Sequence, residues 1–199
     1  MKKTMLLGAL MLSAAAGYAQ ESRQDVSFSG TGLFSPQVHG AGNIDQSATG
    51  ALGLLLSYRY MLTPRSALEL NYSFGQNSEK YVVPYEMARR VHSRMQEATG
   101  AYVYSLNFKK FSPFVQLGIG TVFFTPVLDQ GTNLLDTKGN KTLTGLFGGG
   151  VAYELSPSFD IRLEYRGYLL KTPSFGESNW QTNRYEVISA PAFGVAYHF

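Results

Sequence analysis

Four charged residues alternate with large apolar ones in Phe159-Asp160-Ile161-Arg162-Leu163-Glu164-Tyr165-Arg166-Gly167. Side chains two apart on a strand share a face, so Asp160, Arg162, Glu164 and Arg166 form one charged row. Arg59, Glu69 and Glu154 hold the same phase in other alternating stretches, with Asn71 and Gln116 beside them. If these groups share an enclosed space they must pair, because unpaired buried charge is costly. A structural polar network is therefore the chemistry they offer first. A second set is Ser35, His39, Asp45 and Ser47, from which a Ser/His/Asp constellation can be written on paper. No nucleophile motif surrounds it, and loops collect such residues anyway. His198 reads as an ordinary strand residue. There is no cysteine, which excludes disulfide scaffolds and thiolate metal sites. No catalytic residue, cofactor or metal ligand set is assigned.

The elements that must position the charged row are strands. Eight segments show period-two alternation bounded by turn residues. They are Asp25–Phe34, Thr49–Met61, Ser66–Gly75 or longer, a segment ending at Lys109, Pro113–Phe124, Thr142–Leu155, Ser158–Leu170 and Arg184–Phe199. A helix would need a period of about 3.6, which none shows well. Short connections (Leu62–Arg65, Lys110–Ser112, Ser156–Pro157) alternate with long ones (Ser35–Ala48, Gln76–Gln96, Thr125–Lys141, Lys171–Asn183). In an up-and-down antiparallel barrel that order puts all short turns at one end.

Residues 1–19 read as a secretory signal peptide: Lys2 and Lys3, an apolar run over Met5–Ala16, and small residues before a cut after Ala19. The run is too short for a span of about 20 residues. Residues 20–199 are then one domain. Without Lys2 and Lys3 the formal charge falls from +3 to +1, which argues for no nucleic-acid partner. Only 16% of residues are charged while 14% are aromatic and 21 are glycine. That is too aromatic for a disordered chain and too poor in charge for a typical soluble surface of about 25–35% charged residues. Mean hydropathy is nevertheless near neutral, at −0.10.

Alternation alone does not say which face points outward; a soluble lipocalin-like barrel has the same pattern inverted. Three features favour a membrane barrel. The polar face is rich in Gly, Ala and Ser. Aromatic residues form two bands, Tyr60, Phe108, Tyr153, Phe159, Tyr197 and Phe199 toward the short turns and Phe34, Phe74, Tyr102, Phe123, Tyr165 and Tyr185 toward the long loops, as lipid–water girdles require. The chain ends in phase on Phe193, Val195, Tyr197 and Phe199. This pattern, with Phe159–Gly167 and Tyr197-His198-Phe199, resembles the small eight-stranded outer-membrane β-barrel family, the OmpA/OmpX-like transmembrane domains. The resemblance covers Asp25–Phe199 and departs from OmpA in having no periplasmic domain after the barrel.

The resemblance implies an all-β, eight-stranded antiparallel up-and-down transmembrane barrel in the outer membrane of a Gram-negative-type bacterium. Its termini would be periplasmic, and the barrel-assembly machinery would recognise the terminal Phe193, Val195, Tyr197 and Phe199. The lumen of such a barrel is just wide enough to be filled by side chains. Arg59, Glu69, Glu154, Asp160, Arg162, Glu164 and Arg166 are expected to plug it, with Gly53, Gly118, Gly120, Gly148 and Gly150 making room. A diffusion porin needs about 16 strands. The expected role is structural or surface interaction: envelope integrity, adhesion or shielding. The alternatives are a narrow-pore small-solute channel and a lipid-modifying enzyme, the latter opposed by a lumen read as polar rather than as an acyl slot. In the second long connection, Tyr81, Val83, Tyr85 and Met87 keep the strand alternation, although Met87, Val91 and Met95 also fit a short helix. A protruding hairpin is preferred. Its Arg89, Arg90 and Arg94 are candidate contacts for lipopolysaccharide phosphates, which guanidinium binds bidentately; a solvated charge run is the plainer account.

Overall fold

The structure, a computed structural model, describes residues 23–39, 45–82, 89–127, 139–173 and 184–199. The expected signal peptide lies outside these residues. Ten strands form one antiparallel sheet: β1 (Gln24–Leu33), β2 (Val38–His39), β3 (Asp45–Ala48), β4 (Ala51–Thr63), β5 (Ser66–Val82), β6 (Arg89–Ser105), β7 (Phe111–Pro126), β8 (Asn140–Ser156), β9 (Phe159–Lys171) and β10 (Tyr185–His198). Eight of them close in sequence order, β1–β4–β5–β6–β7–β8–β9–β10, and β10 returns to β1. Closure leaves the barrel wall without an unpaired edge. The Asp25↔His198 register sets the start of β1 beside the end of β10.

Burial alternates along most of each strand, and the apolar phase faces outward. Leu52 is 87% exposed and Leu143 81% exposed, on an outer wall that also carries Leu68, Leu70, Ile119 and Leu163. A soluble barrel would hide that face, so the wall is built for lipid. No described helix is long and apolar enough to cross a membrane; the chain crosses with strands.

The short turns explain themselves chemically. Thr63 Oγ1 accepts from the backbone N–H of Arg65 (3.3 Å) and of Ser66 (3.0 Å), holding the Pro64 turn. Phe108 and Phe111 close a tight turn through two backbone hydrogen bonds, with Lys109 at a φ of 48°. That turn ends β6 at Ser105, four residues short of the sequence expectation of Lys109.

The largest difference lies in the second long connection. Residues 76–82 and 89–96 are strand, paired without a break from Ser66↔Tyr104 to Tyr81↔Arg89. The strand reading holds for the described part, while residues 83–88 lie outside it. The first long connection adds β3, which pairs with β5 from Asp45↔Val82 to Ala48↔Glu79, and β2, which pairs with β3. The sheet thus continues past the barrel as a platform of β2, β3, β5 and β6.

Two aromatic residues stand elsewhere than expected. Tyr102 pairs with Leu68, and its hydroxyl donates to Ser66 Oγ at 2.8 Å, so it belongs to the short-turn band. β6 is 17 residues long, and Tyr102 lies near its lower end rather than at the start of a ten-residue segment. Tyr165 sits midway along β9, bonded to Ser189 Oγ at 2.9 Å.

Candidate functional site

The inward phase brings most of the predicted charged residues together. Arg59 on β4 and Glu69 on β5 are register partners across the Pro64 turn. Arg59 Nη2 and Nε both donate to Glu69 Oε2, at 2.6 and 2.8 Å. Arg166 crosses the lumen from β9. Its Nη2 lies 3.0 Å from Glu69 Oε1 and its Nε 3.1 Å from Glu164 Oε2. Gln116 Nε2 donates to the same Glu164 oxygen at 3.3 Å, and Ser57 Oγ accepts from Arg166 Nη2 at 3.3 Å. One arginine therefore serves carboxylates from two walls of the barrel. All these side chains are buried.

Arg162 pairs elsewhere. Its Nη2 lies 2.8 Å from Oδ2 of Asp25, on β1, and both are buried. Asp25 was not among the expected site residues. Its position in phase with Ser27, Ser29 and Thr31 was the available signal. Two expected members do not join this network. Asp160 is half-buried at the short-turn rim and pairs with His198 Nε2 at 2.8 Å. Glu154 is half-buried opposite Asp160 in the β8–β9 register. Both are in the inward phase but too close to the strand ends to reach the central arginines, and His198 gains a partner the sequence did not suggest.

The lumen is layered rather than polar throughout. Below the ion pairs, Ala67, Val103 and Phe114 form a small apolar floor, with the Arg59 guanidinium 4.8 Å from the Phe114 ring centroid. Above them, Leu33, Val91, Met95, Phe124, Leu146 and Leu170 pack into an apolar layer with Tyr168. That layer corrects the expectation of a uniformly polar interior. Its residues come from the upper ends of long strands, where Met, Leu and Val interleave with the inward Ser93, Glu97 and Thr144. Among the glycines, Gly148 and Gly150 stand where expected: a Cβ at Gly148 would lie 3.1 Å from Gln116 Nε2, and one at Gly150 2.7 Å from the Cβ of Glu164. At all five positions, Gly53, Gly118, Gly120, Gly148 and Gly150, a Cβ would first meet a backbone carbonyl oxygen of a neighbouring strand.

The surface candidates divide. Arg90 and Arg94 are exposed on the outer face of β6. Arg94 lies over Phe74, 5.7 Å from its centroid, and Lys141 over Phe123 at 5.4 Å. Arg89 opens β6, and its side chain lies outside the described residues. Of the Ser/His/Asp set, only His39 and Asp45 meet, Nδ1 to Oδ1 at 2.6 Å on the exposed β2–β3 hairpin. No described hydrogen bond joins either serine hydroxyl to His39. At the chain end, Phe193 and Val195 face outward, and Tyr197 stacks with Phe159 (5.1 Å) and Phe199 (6.1 Å).

No curated protein matches the chain at a significant level. Among solved structures, it is similar to the outer membrane protein OprG of Pseudomonas aeruginosa, with a TM-score of 0.69 at 12% identity over 90% of this chain and 97% of that one. Neisserial surface protein A has a TM-score of 0.59 at 15% identity, covering 89% and 98%. The outer membrane protein AlkL, determined in lipid bilayers, has a TM-score of 0.53 at 17% identity, covering 90% and 91%. At these identities the likeness concerns the fold. The family model of the outer membrane protein beta-barrel domain matches residues 4–199, and the chain belongs to that family of outer-membrane β-barrels.

Proposed function

We propose that this protein is a sealed outer-membrane barrel whose role is structural or one of surface interaction, in envelope integrity, adhesion or shielding. The observation that carries this reading is the filled lumen. Arg59, Glu69, Arg166 and Glu164 join opposite walls through ion pairs, and an apolar layer closes the space above them. A narrow channel would need a continuous wet path through both layers. With the short turns and termini in the periplasm, the β2–β3–β5–β6 platform stands outside the cell as the working surface. The outward Phe193, Val195 and Tyr197 with Phe199 are the segment offered to the barrel-assembly machinery during biogenesis.

The upper rim of the barrel meets lipid through cations. Arg94 and Lys141 rest on Phe74 and Phe123, the aromatics at the upper edge of the apolar wall. Gln96, level with Phe74 and Phe123, donates to Tyr72 OH at 2.7 Å. Cations at headgroup height, with arginine's bidentate geometry, suit the phosphates of lipopolysaccharide. The barrel carrying Arg89, Arg90 and Arg94→Ala together with Lys141→Ala is expected to bind lipopolysaccharide vesicles at least about tenfold more weakly, a loss of about 1.4 kcal/mol. Wild-type binding should weaken with salt. Equal binding by variant and wild type would remove lipopolysaccharide from the account.

A further inference from the structure

The outer wall is not evenly covered. Along β6 the outward residues run Tyr102, Gly100, Ala98, Gln96 and Arg94, so the middle of the strand presents almost no side chain. Both neighbouring strands are bulky at the same heights. Gly100 stands between Leu70 of β5 and Ile119 of β7, and Tyr102 between Leu68 and Leu117. These residues line an outward-facing trough of about 450 Å³, within the roughly 300–1,000 Å³ range of small-molecule sites. Ala98, one outward position higher, continues the floor between Tyr72 and Thr121.

Both ends of the trough are defined. Below, Tyr102 closes it, with its hydroxyl bonded to Ser66 Oγ at 2.8 Å. Above, Gln96 is level with Phe74 on one side and Phe123 on the other. Each of those rings carries a cation, Arg94 over Phe74 at 5.7 Å and Lys141 over Phe123 at 5.4 Å. Among the described residues no carboxylate pairs with either cation. The mouth therefore has positive charge on both walls, and the trough below it is apolar.

The dimensions match one lipid leaflet. Gln96 and Tyr102 are six residues apart, about 20 Å along the strand at a rise of about 3.3 Å per residue. In strands tilted by about 40° that is a depth of about 15 Å, half of the roughly 30 Å hydrocarbon core. A chain entering at the cations thus reaches Tyr102 at the bilayer midplane, where chains of the outer leaflet end. The trough is one strand wide, with its walls on strands about 10 Å apart. That is room for a single hydrocarbon chain and not for the curved wall of a second barrel.

We propose, building on the lipopolysaccharide reading above, that this trough holds one acyl chain of lipid A, with the lipid A phosphates on Arg94 and Lys141. Phosphate gains charge-assisted hydrogen bonds from the guanidinium, and the chain supplies the dispersion contacts that Leu70 and Ile119 lack across the gap. Lipid A carries two phosphates where a phospholipid carries one, which suits a mouth with two cations. The bound lipid lies directly below the β5–β6 part of the platform and ties it to the outer leaflet.

The test adds purified lipid A to the mature barrel in detergent micelles and counts retained lipids by native mass spectrometry. The wild-type barrel is expected to keep one lipid A. Gly100→Leu fills the trough and should weaken retention at least about tenfold. This variant should fold, because a Cβ there meets only Leu70 Cδ2, at 3.8 Å; the mobility shift on boiling checks it. Gly30→Leu adds the same side chain to the outer face of β1, where nothing lies within 4 Å, and should leave retention unchanged. Lipid A stripped of its phosphates should bind the wild type as weakly as intact lipid A binds the barrel carrying Arg94→Ala and Lys141→Ala. Retention that needs both cations but is undiminished in Gly100→Leu overturns the trough and leaves the lipopolysaccharide reading standing. No retention by the wild type overturns both. Equal retention of phosphatidylglycerol would give the trough to phospholipid, and a lipid-free dimer lost in Gly100→Leu would make it a contact between copies; either result overturns the proposal.

Discussion

Replacing Arg166 with methionine is expected to destabilise the folded barrel by about 3–5 kcal/mol, the cost of breaking a buried ion pair from one side. Arg166 is the bridge of the network. Its Nη2 meets Glu69 and its Nε meets Glu164, on two walls of the lumen. Glu69 keeps Arg59 as a partner after the change, but Glu164 is left with only Gln116 at 3.3 Å. The loss should therefore be larger than for Arg59→Met, which leaves Glu69 with Arg166. Adding Glu164→Gln to Arg166→Met should restore part of the loss, because the stranded charge is then removed; a double-mutant cycle isolates that coupling. The measurement is urea unfolding in detergent micelles, followed by the fraction that keeps the mobility of the unboiled barrel on a gel. A change below about 1 kcal/mol for Arg166→Met would mean that solvent already screens the network.

Gly150→Val is expected to be more damaging still, preventing most of the chain from reaching the barrel state. Gly150 lies on β8 opposite Glu164 on β9. A Cβ there would stand 2.7 Å from the Glu164 Cβ and 2.8 Å from its Cα, and would press on the Leu163 carbonyl. These are backbone and near-backbone atoms, so no rotamer relieves the contact. The two strands must part just where the ion pairs cross, at a cost of about 3 kcal/mol or more for overpacking. Glu164→Ala retains the Cβ and should not rescue the variant. Gly139→Ala, where a Cβ would sit 3.5 Å from the Phe124 carbonyl oxygen, an ordinary contact, should fold normally. Refolding yield into detergent, read from the boiling-dependent shift, compares the three.

The eight strands were legible because lipid demands apolar residues at every second position over the whole wall, which imprints period two on the chain. Expected segments such as Ser158–Leu170 and Arg184–Phe199 fall within a residue of β9 and β10 at each end. The ion pairs were legible for the same reason: Arg59, Glu69, Arg162, Glu164 and Arg166 keep strict phase inside clean alternation. Legibility failed where lipid no longer enforces the pattern. Above Phe74 the outer face of β5 becomes Gln76, Ser78 and Lys80, so both faces are polar and the strand looks like loop. Glu79 and Glu97 were hidden there, and so was the β3 pairing, which depends on backbone groups that carry no side-chain signature. Asp25 was missed differently. It shares the inward phase of Ser27, Ser29 and Thr31, but those small residues carry no charge to mark that row as part of the ion-pair network. The apolar layer was missed because Phe124, Leu146 and Leu170 are apolar residues in the inward phase, where alternation leads one to expect polar ones.

Sealing of the lumen is what separates this account from a channel. The Arg166 bridge leaves Glu69 and Glu164 paired across the bore, and Met95, Phe124 and Leu146 pack above it with Tyr168, whose hydroxyl is taken up by Glu97. Single-channel recording of the purified barrel in a planar bilayer tests that claim most directly. Insertion is verified independently by the boiling-dependent mobility of protein recovered from the same vesicles. The account predicts a baseline with no discrete steps for the wild-type barrel. Stable, uniform conductance steps from the wild-type barrel would contradict it and would make the protein a small-solute channel.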